Sequence, residues 1–401
     1  MPILRCILVV LSVVLILACP SYGEDWPNWR GPTYNGHSSE KGFKTNWDGD
    51  LETVWEHPIG AGYSGIVIAK GRAYTCGQPG KKQVLYCFDA DSGKVIWEKA
   101  FEPRYRNHVW NGPRTTPTVH KGRVYILGAK GKLACFDATD GEEKWSRNFD
   151  HVPQWGYSGS VLIQGKLALV TAGGQYGGLR ALNRKTGKEL WKCGTDGDSG
   201  YSTPYPFEFE GTKYVCGFLG KSVSIADLKT GKEVLSMPWE TEWKVNAATP
   251  IYHDGYLFLS SGYQTGCAVY KLSKSGKALK ATQVWRSKKM RNKFQTPVLH
   301  DGYLYSFDQK GFKCLDFMTG DVRWSHRGGE HAHGSVILAN DHLVALTRDG
   351  LLRIGKASPE SFHAVGEAQI LTGQCWTVPT LSDGRIYARN HKKIVCIDLR
   401  S

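Results

Sequence analysis

One pattern recurs along the chain and ends each time on an indole. Its clearest copy runs Thr116-Pro117-Thr118-Val119-His120-Lys121-Gly122-Arg123-Val124-Tyr125, continues from Gly131 to Gly141, and closes on Trp145. A second copy opens at Thr296-Pro297, turns at Asp301-Gly302, continues from Gly311 to Gly320 and closes on Trp324. The period, roughly 45 residues, belongs to propeller blades or solenoid units rather than to independent domains. Within it, apolar residues alternate in short runs between glycine turns, a strand signature that gives four strands per period.

The turns have a physical reason. Lys121-Gly122, Asp254-Gly255, Asp301-Gly302 and Asp383-Gly384 fall between the first two strands, where a two-residue hairpin requires positive φ. The proline of each Thr-Pro pair opens the first strand, a position with no obligatory ladder donor and typical of a sheet edge. Counting periods by their closing residue gives Trp97, Trp145, Trp191, Leu235, Trp285, Trp324 and Ile370; blade limits between Ile354 and Leu371 stay open. A last unit begins at Thr377-Val378-Pro379 and stops at Ile397-Asp398-Leu399, one strand short. Leu51 to Trp55 supplies that strand from the other end of the chain. The fold is therefore expected to be all-β: an eight-bladed β-propeller of four-stranded antiparallel blades over residues 51–401, closed by pairing of its N- and C-terminal strands.

Trp55, Trp97, Trp145, Trp191, Trp285 and Trp324 are expected to dock each blade on the next, an indole burying about 150–250 Å². Asp89-Ala90-Asp91-Ser92-Gly93-Lys94 with Trp97, Asp137 to Trp145, and Asn183 to Trp191 resemble the tryptophan-docking motif of the pyrroloquinoline quinone (PQQ)-like propeller family. The resemblance extends over nearly all of the chain after Glu24. It implies eight blades, in a family that holds quinoprotein dehydrogenases and also the non-catalytic outer-membrane β-barrel assembly lipoprotein. Fold alone does not select among these activities.

The first residues read as an export signal: Arg5, an apolar run from Cys6 to Cys19, then small residues suited to cleavage after Gly23. Residues 1–23 are thus expected to be removed and the protein to be secreted or periplasmic, with lipoprotein processing at Cys19 as the alternative. Residues 24–50 form an N-terminal clasp, expected across the lower face or rim; the stretch Glu24 to Pro32, with Trp26 and Trp29, resembles a leader of exported PQQ-like repeat proteins. Cys87, Cys135, Cys314 and Cys396 hold one repeat position and read as small buried hydrophobes. Pairing of Cys76 with Cys87 is left to geometry. The formal charge of +14 favours an acidic partner or an anionic envelope surface, although many lysines fall in solvated turns. Nucleic acid is disfavoured by the signal and by the lack of a binding motif. A monomer is expected.

Segments entering the first strands converge at one mouth of the channel. They place Tyr63, Arg114, Tyr157, Tyr201, Asn246, Gln295, His333 and Trp376 as candidate ligand-binding residues, a mixture suited to a polar ligand or a peptide loop. His331 and His333, with Glu330 beside them, form a weak metal signal for want of further ligands, so no metal is assigned. Gly156-Tyr157-Ser158-Gly159 and the glycines from Gly173 to Gly178 are strand turns; the first is followed by no helix and the second lacks a helix N-terminus. A quinoprotein of the kind that the resemblance implies needs a carboxylate beside the quinone and usually calcium. Arg114, Asn246 and Trp376 could cradle PQQ, but vicinal cysteines and a Cys-x-x-Cys-His haem motif are absent, and Asp196 and Asp198 are the nearest paired acids. The sequence therefore favours a non-catalytic binding scaffold, with no catalytic residue and no cofactor assigned and a protein or polysaccharide ligand at the mouth. The alternatives are a PQQ- and calcium-dependent dehydrogenase of the polyvinyl-alcohol type and an outer-membrane protein assembly factor.

Overall fold

The computed structural model describes residues 24–400 apart from 109, 175–176 and 329–332. The signal expected over 1–23 and the metal signal at His331 and Glu330 lie outside the described residues. Eight antiparallel sheets follow one another along the chain. Blade I comprises Val67–Ala69, Arg72–Gly77, Lys82–Asp89 and Val95–Pro103; blade II comprises Thr118–His120, Arg123–Leu127, Lys132–Asp137 and Glu143–Asn148. Blades III to VI start at Leu162, Tyr205, Ile251 and Val298, and blade VII at Ser335, with third and fourth strands at Leu351–Lys356 and Gly366–Gln369. Blade VIII takes Thr380–Ser382, Arg385–Arg389 and Lys393–Asp398 from the C-terminus and Thr53–Pro58 from the N-terminus, the latter paired with Lys393–Asp398. First strands of blades I and II, II and III, VI and VII, and VIII and I touch one another, which places first strands at the channel.

The first hairpins adopt the left-handed turn that their sequence asks for: φ is 47° and 74° at Lys121-Gly122, and 47° and 81° at Asp301-Gly302. At the interfaces of Trp97, Trp145 and Trp285 the outer-strand indole both lies on a glycine of the next blade, respectively Gly141, Gly187 and Gly320, and donates its N–H to a carbonyl there. Trp97 bonds Ala138 O at 3.2 Å, Trp145 bonds Arg184 O at 3.1 Å, and Trp285 bonds Phe317 O at 3.0 Å. A Cβ on Gly187 would come within 2.5 Å of the Trp145 ring, so the contact itself excludes a side chain. Two interfaces lack an outer-strand indole and are filled otherwise. Beside Leu235, the buried Trp239 donates to Ser261 Oγ at 3.0 Å and packs with blades IV and V. Beside blade VII, Trp47 lies on Gly366 and donates to Glu367 O at 3.2 Å.

Cys87, Cys135, Cys314 and Cys396 are buried on third strands, and each stands opposite a tyrosine, respectively Tyr74, Tyr125, Tyr305 and Tyr387. Burial pushes the Cys87 thiol up to about 11 and those of Cys314 and Cys396 up to about 12, which removes thiolate reactivity. Cys76 stands opposite Leu85, diagonal to Cys87, and both thiols are free.

The N-terminal segment does not lie across a face; it enters the channel. Trp26 exchanges backbone hydrogen bonds with Ile68 of blade I at 2.9 Å, and Val119 of blade II donates to Pro27 O at 2.7 Å. Tyr34 OH donates to Ile163 O of blade III, and Tyr34 also packs with the core of blade IV. Trp29 donates to Thr249 Oγ1 before blade V, and the Arg30 guanidinium donates to Thr296 O and Pro297 O before blade VI. His37–Ser38 pairs in parallel with blade VII, and Ser382 Oγ of blade VIII donates to Glu24 O. All eight blades thus touch one segment. Arg30, 2 % exposed, is satisfied by carbonyls, and burial lowers its pKa to about 10.

His37 sits in this channel with Arg30 and His300 facing it. Burial first, then those positive neighbours, lower its pKa to about 4. A base whose folded pKa is depressed binds its proton more readily when unfolded, so its stabilisation is complete above pH 6.5 and fades as pH falls toward 4. The loss is on the order of 2–3 kcal/mol. Urea unfolding at pH 7.5 and pH 4.5 is expected to show this drop, and His37→Gln is expected to shrink it; an unchanged acid limb in the variant would contradict the assignment.

Candidate functional site: an aromatic cavity at the channel mouth

Loops that carry the chain from one blade to the next converge above the N-terminal segment and enclose a cavity of about 550 Å³. Tyr63, Trp110, Trp155, Tyr201, Trp243, Phe294 and Trp376 come from these loops, Tyr263 from a turn inside blade V, and Trp29 from the inserted segment below. The rings form a continuous band on one side: Trp376 lies 4.5 Å from Trp110, 4.8 Å from Phe294 and 5.8 Å from Tyr63, centroid to centroid. Gln154, Ser158, Thr203 and Thr377 add polar groups to the lining.

The charged lining is cationic. Arg114 donates to Trp110 O at 2.6 Å and Gly112 O at 3.0 Å, and lies 4.7 Å above the Tyr105 ring. These contacts use two of the five donors that a guanidinium carries. Burial lowers its pKa, opposed by Tyr105, Tyr63 and Tyr201. Lys293 Nζ stands 4.9 Å from the Tyr263 ring and 5.1 Å from the Phe294 ring, and burial lowers its pKa; among the described residues no carboxylate pairs with it. Among the described residues, no Asp or Glu lines this cavity. Cations among ring faces suit an acceptor-rich, negatively charged ligand.

Of the eight candidate residues, Tyr63, Arg114, Tyr201 and Trp376 line the cavity. His333 stands behind the wall, its ring 6.0 Å from Phe294 and 6.3 Å from Trp376; burial and the nearby Lys293 lower its pKa. Tyr157, Asn246 and Gln295 face the body of the propeller. Tyr157 OH donates to His151 O and Ala172 O, and Asn246 Nδ2 donates to Leu219 O while its Oδ1 accepts from Ser261 Oγ. Gln295 Oε1 accepts the Phe294 amide. The neighbours of these three, Ser158, Val245, Ala247 and Phe294, line the cavity instead, as alternation along an extended chain dictates. Trp110, Trp155, Trp243 and Lys293 went unrecognised by sequence because inter-blade loops carry no period, and Tyr263, in a turn inside blade V, and Trp29, in the inserted segment, went unrecognised as well.

A second cavity of about 410 Å³ adjoins the first and shares Gln154, Tyr201 and Trp243 with it. Asp198 lines only this second cavity and is held by Lys244 at 2.8 Å and Lys221 at 3.8 Å. Asp196 accepts from the Lys221 amide and Ser222 Oγ. Trp243, between the two cavities, is 52 % exposed, and both it and Lys244 have left-handed backbone, with φ of 62° and 57°.

A family model described as outer membrane protein assembly factor BamB matches residues 44–277, more than half of the chain. The chain belongs to the PQQ-like β-propeller family. Among solved structures, BamB from Moraxella catarrhalis is 14 % identical, with a TM-score of 0.62 over 87 % of this chain and 98 % of that one. Quinohemoprotein alcohol dehydrogenase from Comamonas testosteroni is 13 % identical, with a TM-score of 0.65 over 94 % of this chain and 81 % of that one. The computationally designed Ika8 protein, 11 % identical, gives 0.59 over 89 % and 100 %. These likenesses establish the fold alone. A search of curated proteins gives no match.

This PQQ-like propeller offers little to a calcium-bound quinone. Arg114 and Trp376 suit a flat anion, but among the described residues the cavity presents no carboxylate to ligate calcium or to take a proton.

A bulky residue at positive φ is strained by about 1–3 kcal/mol. Replacing the exposed Trp243 by glycine relieves that strain while loosening the unfolded chain, so Trp243→Gly is expected to change the unfolding free energy by less than about 1 kcal/mol. Urea denaturation checks this, and a loss above about 2 kcal/mol would mean that the indole belongs to the structural core.

Proposed function

We propose that the chain is an exported, non-catalytic binding protein whose channel mouth takes an anionic ligand with flat or ring-shaped parts. One observation carries the reading: Arg114 and Lys293 sit among aromatic faces with no carboxylate lining the cavity among the described residues. An anion entering there gains two charge-assisted contacts and, among the described residues, displaces no carboxylate from Lys293. The inserted segment supports the same reading by closing the cavity from below with Trp29.

The test uses an aromatic anion, 1-anilinonaphthalene-8-sulfonate, titrated by fluorescence into purified protein. Lys293→Gln is expected to weaken its binding about tenfold, the equivalent of roughly 1.4 kcal/mol. Dye-linked alcohol oxidation with added PQQ and calcium is expected to stay at the rate without protein. Alcohol-dependent turnover would replace this reading with the dehydrogenase; anion binding indifferent to Lys293 would remove the mouth as the site.

Export brings in a further contact. The Glu24 backbone nitrogen lies 2.7 Å from Oε1 of Glu40, whose carboxylate also accepts the Asp383 and Gly384 amides. Hydrolysis of the Gly23–Glu24 bond turns that amide nitrogen into an ammonium facing a carboxylate 8 % exposed. Mass spectrometry of the purified protein is expected to find Glu24 as its first residue, and in that form Glu40→Gln should cost on the order of 1–3 kcal/mol. An acylated Cys19 would support the second reading, an anchored assembly factor, which the family match favours.

A further inference from the structure

We infer that the mouth and the cavity beside it form one elongated site for an acidic oligosaccharide, with Trp243 as the platform over which consecutive sugar rings pass. The inference rests on the reading of the mouth as an anion site and extends it to a ligand class and a direction.

Three observations lead there. The cavities, about 550 and 410 Å³, share Gln154, Tyr201 and Trp243, so a ligand that fills both must cross that wall. Their chemistry differs along this path. The first pairs ring faces with Arg114 and Lys293; the second is polar, with His151, Asp198, Lys221, Glu240 and Lys244. A uronic acid polymer presents what such a path asks for: apolar C–H faces to lie on indoles, carboxylates for Arg114 and Lys293 in the first cavity, and hydroxyl groups that both donate and accept for the second, where Lys221 and Lys244 are already held by Asp198. Third, Trp243 is half exposed and held with Lys244 in left-handed backbone, and it joins no hydrophobic core cluster. Strain kept at an exposed aromatic ring between two cavities points to use in binding rather than in folding.

An acidic peptide would meet the same cations. It is less suited, because every residue lining the two cavities lies outside the strands, so the walls present no sheet edge for a peptide backbone to extend. Flat ring faces and side-chain polar groups favour stacked sugars instead.

The experiment compares galacturonic acid, hexagalacturonic acid, neutral cellohexaose and a hexaglutamate peptide by calorimetry on the purified protein, with Trp243→Ala and Lys293→Gln in parallel. The acidic hexamer is expected to bind at least tenfold more tightly than the monomer. Trp243→Ala is expected to abolish that gain, and Lys293→Gln to weaken the binding of both uronates. Equal affinity for hexamer and monomer, or a gain indifferent to Trp243, overturns the elongated site. Cellohexaose binding as tightly as the acidic hexamer overturns the acidic ligand class, and hexaglutamate binding as tightly reassigns the groove to peptides. If neither uronate binds while the aromatic sulfonate still shows its dependence on Lys293, the oligosaccharide fails and the anion mouth stands; if that dependence is also missing, both fail together.

Discussion

The innermost strand of every blade turns one edge of unpaired backbone groups toward the channel, and those groups must find partners. Water is one solution for a wide channel. This chain uses its own N-terminal segment, which exchanges main-chain bonds with Ile68, pairs in parallel with Leu338 and Ala339, and brings the Arg30 guanidinium to the carbonyls of Thr296 and Pro297. A buried cation without a carboxylate is expensive to desolvate, yet carbonyl dipoles aimed inward from a closed ring supply the negative potential that it requires. The same segment then emerges, covers Gly366 with Trp47, and becomes the outer strand of blade VIII. Channel filling, the filling of one of the two interfaces that lack an outer-strand indole, and ring closure are thus three consequences of one path.

That path also shapes the site. With Trp29 held beneath the mouth by its bond to Thr249, the funnel has a floor and becomes a cavity rather than a pore. A closed floor lowers the local dielectric around Arg114 and Lys293, and burial depresses the pKa of both, so their charge is held at a cost that an incoming anion relieves.

The blades were legible because their turns and interfaces are local chemistry repeated: Asp-Gly and Lys-Gly hairpins, and an indole about one period ahead of the glycine that it covers. The closing strand at Thr53–Pro58 was legible by subtraction, as the strand that the last unit lacked. The course of Trp26 to Ser38 was not, since its partners lie as far away in sequence as Thr296 from Arg30 and no repeat constrains it. At the mouth, sequence located the right loops but not the phase within them. Tyr63 and Tyr157 precede their strands in the same Gly-Tyr-Ser triplet, yet one faces the cavity and the other donates to Ala172 O. Phase depends on how each loop leaves the previous blade, which Trp110, Trp155 and Trp243 reach through segments of unequal length.

Membership of a family that includes dehydrogenases leaves the activity to be read from the site, and the buried acids of this chain are informative there. Glu102 is buried and its pKa is raised by desolvation, but its oxygens accept the amides of Lys130 and Lys132 and the amide group of Gln83. Asp308 accepts Gly311 and Arg291 amides and pairs with Lys313 at 2.6 Å. Glu40 is committed to the N-terminal segment and blade VIII. The fold can therefore bury carboxylates, and it spends their lone pairs on stray backbone N–H groups inside and between blades. A carboxylate able to ligate calcium or accept a proton must keep lone pairs open to the cavity, and none of these three does. What the mouth keeps open instead is positive charge and the faces of aromatic rings, which is the equipment of recognition.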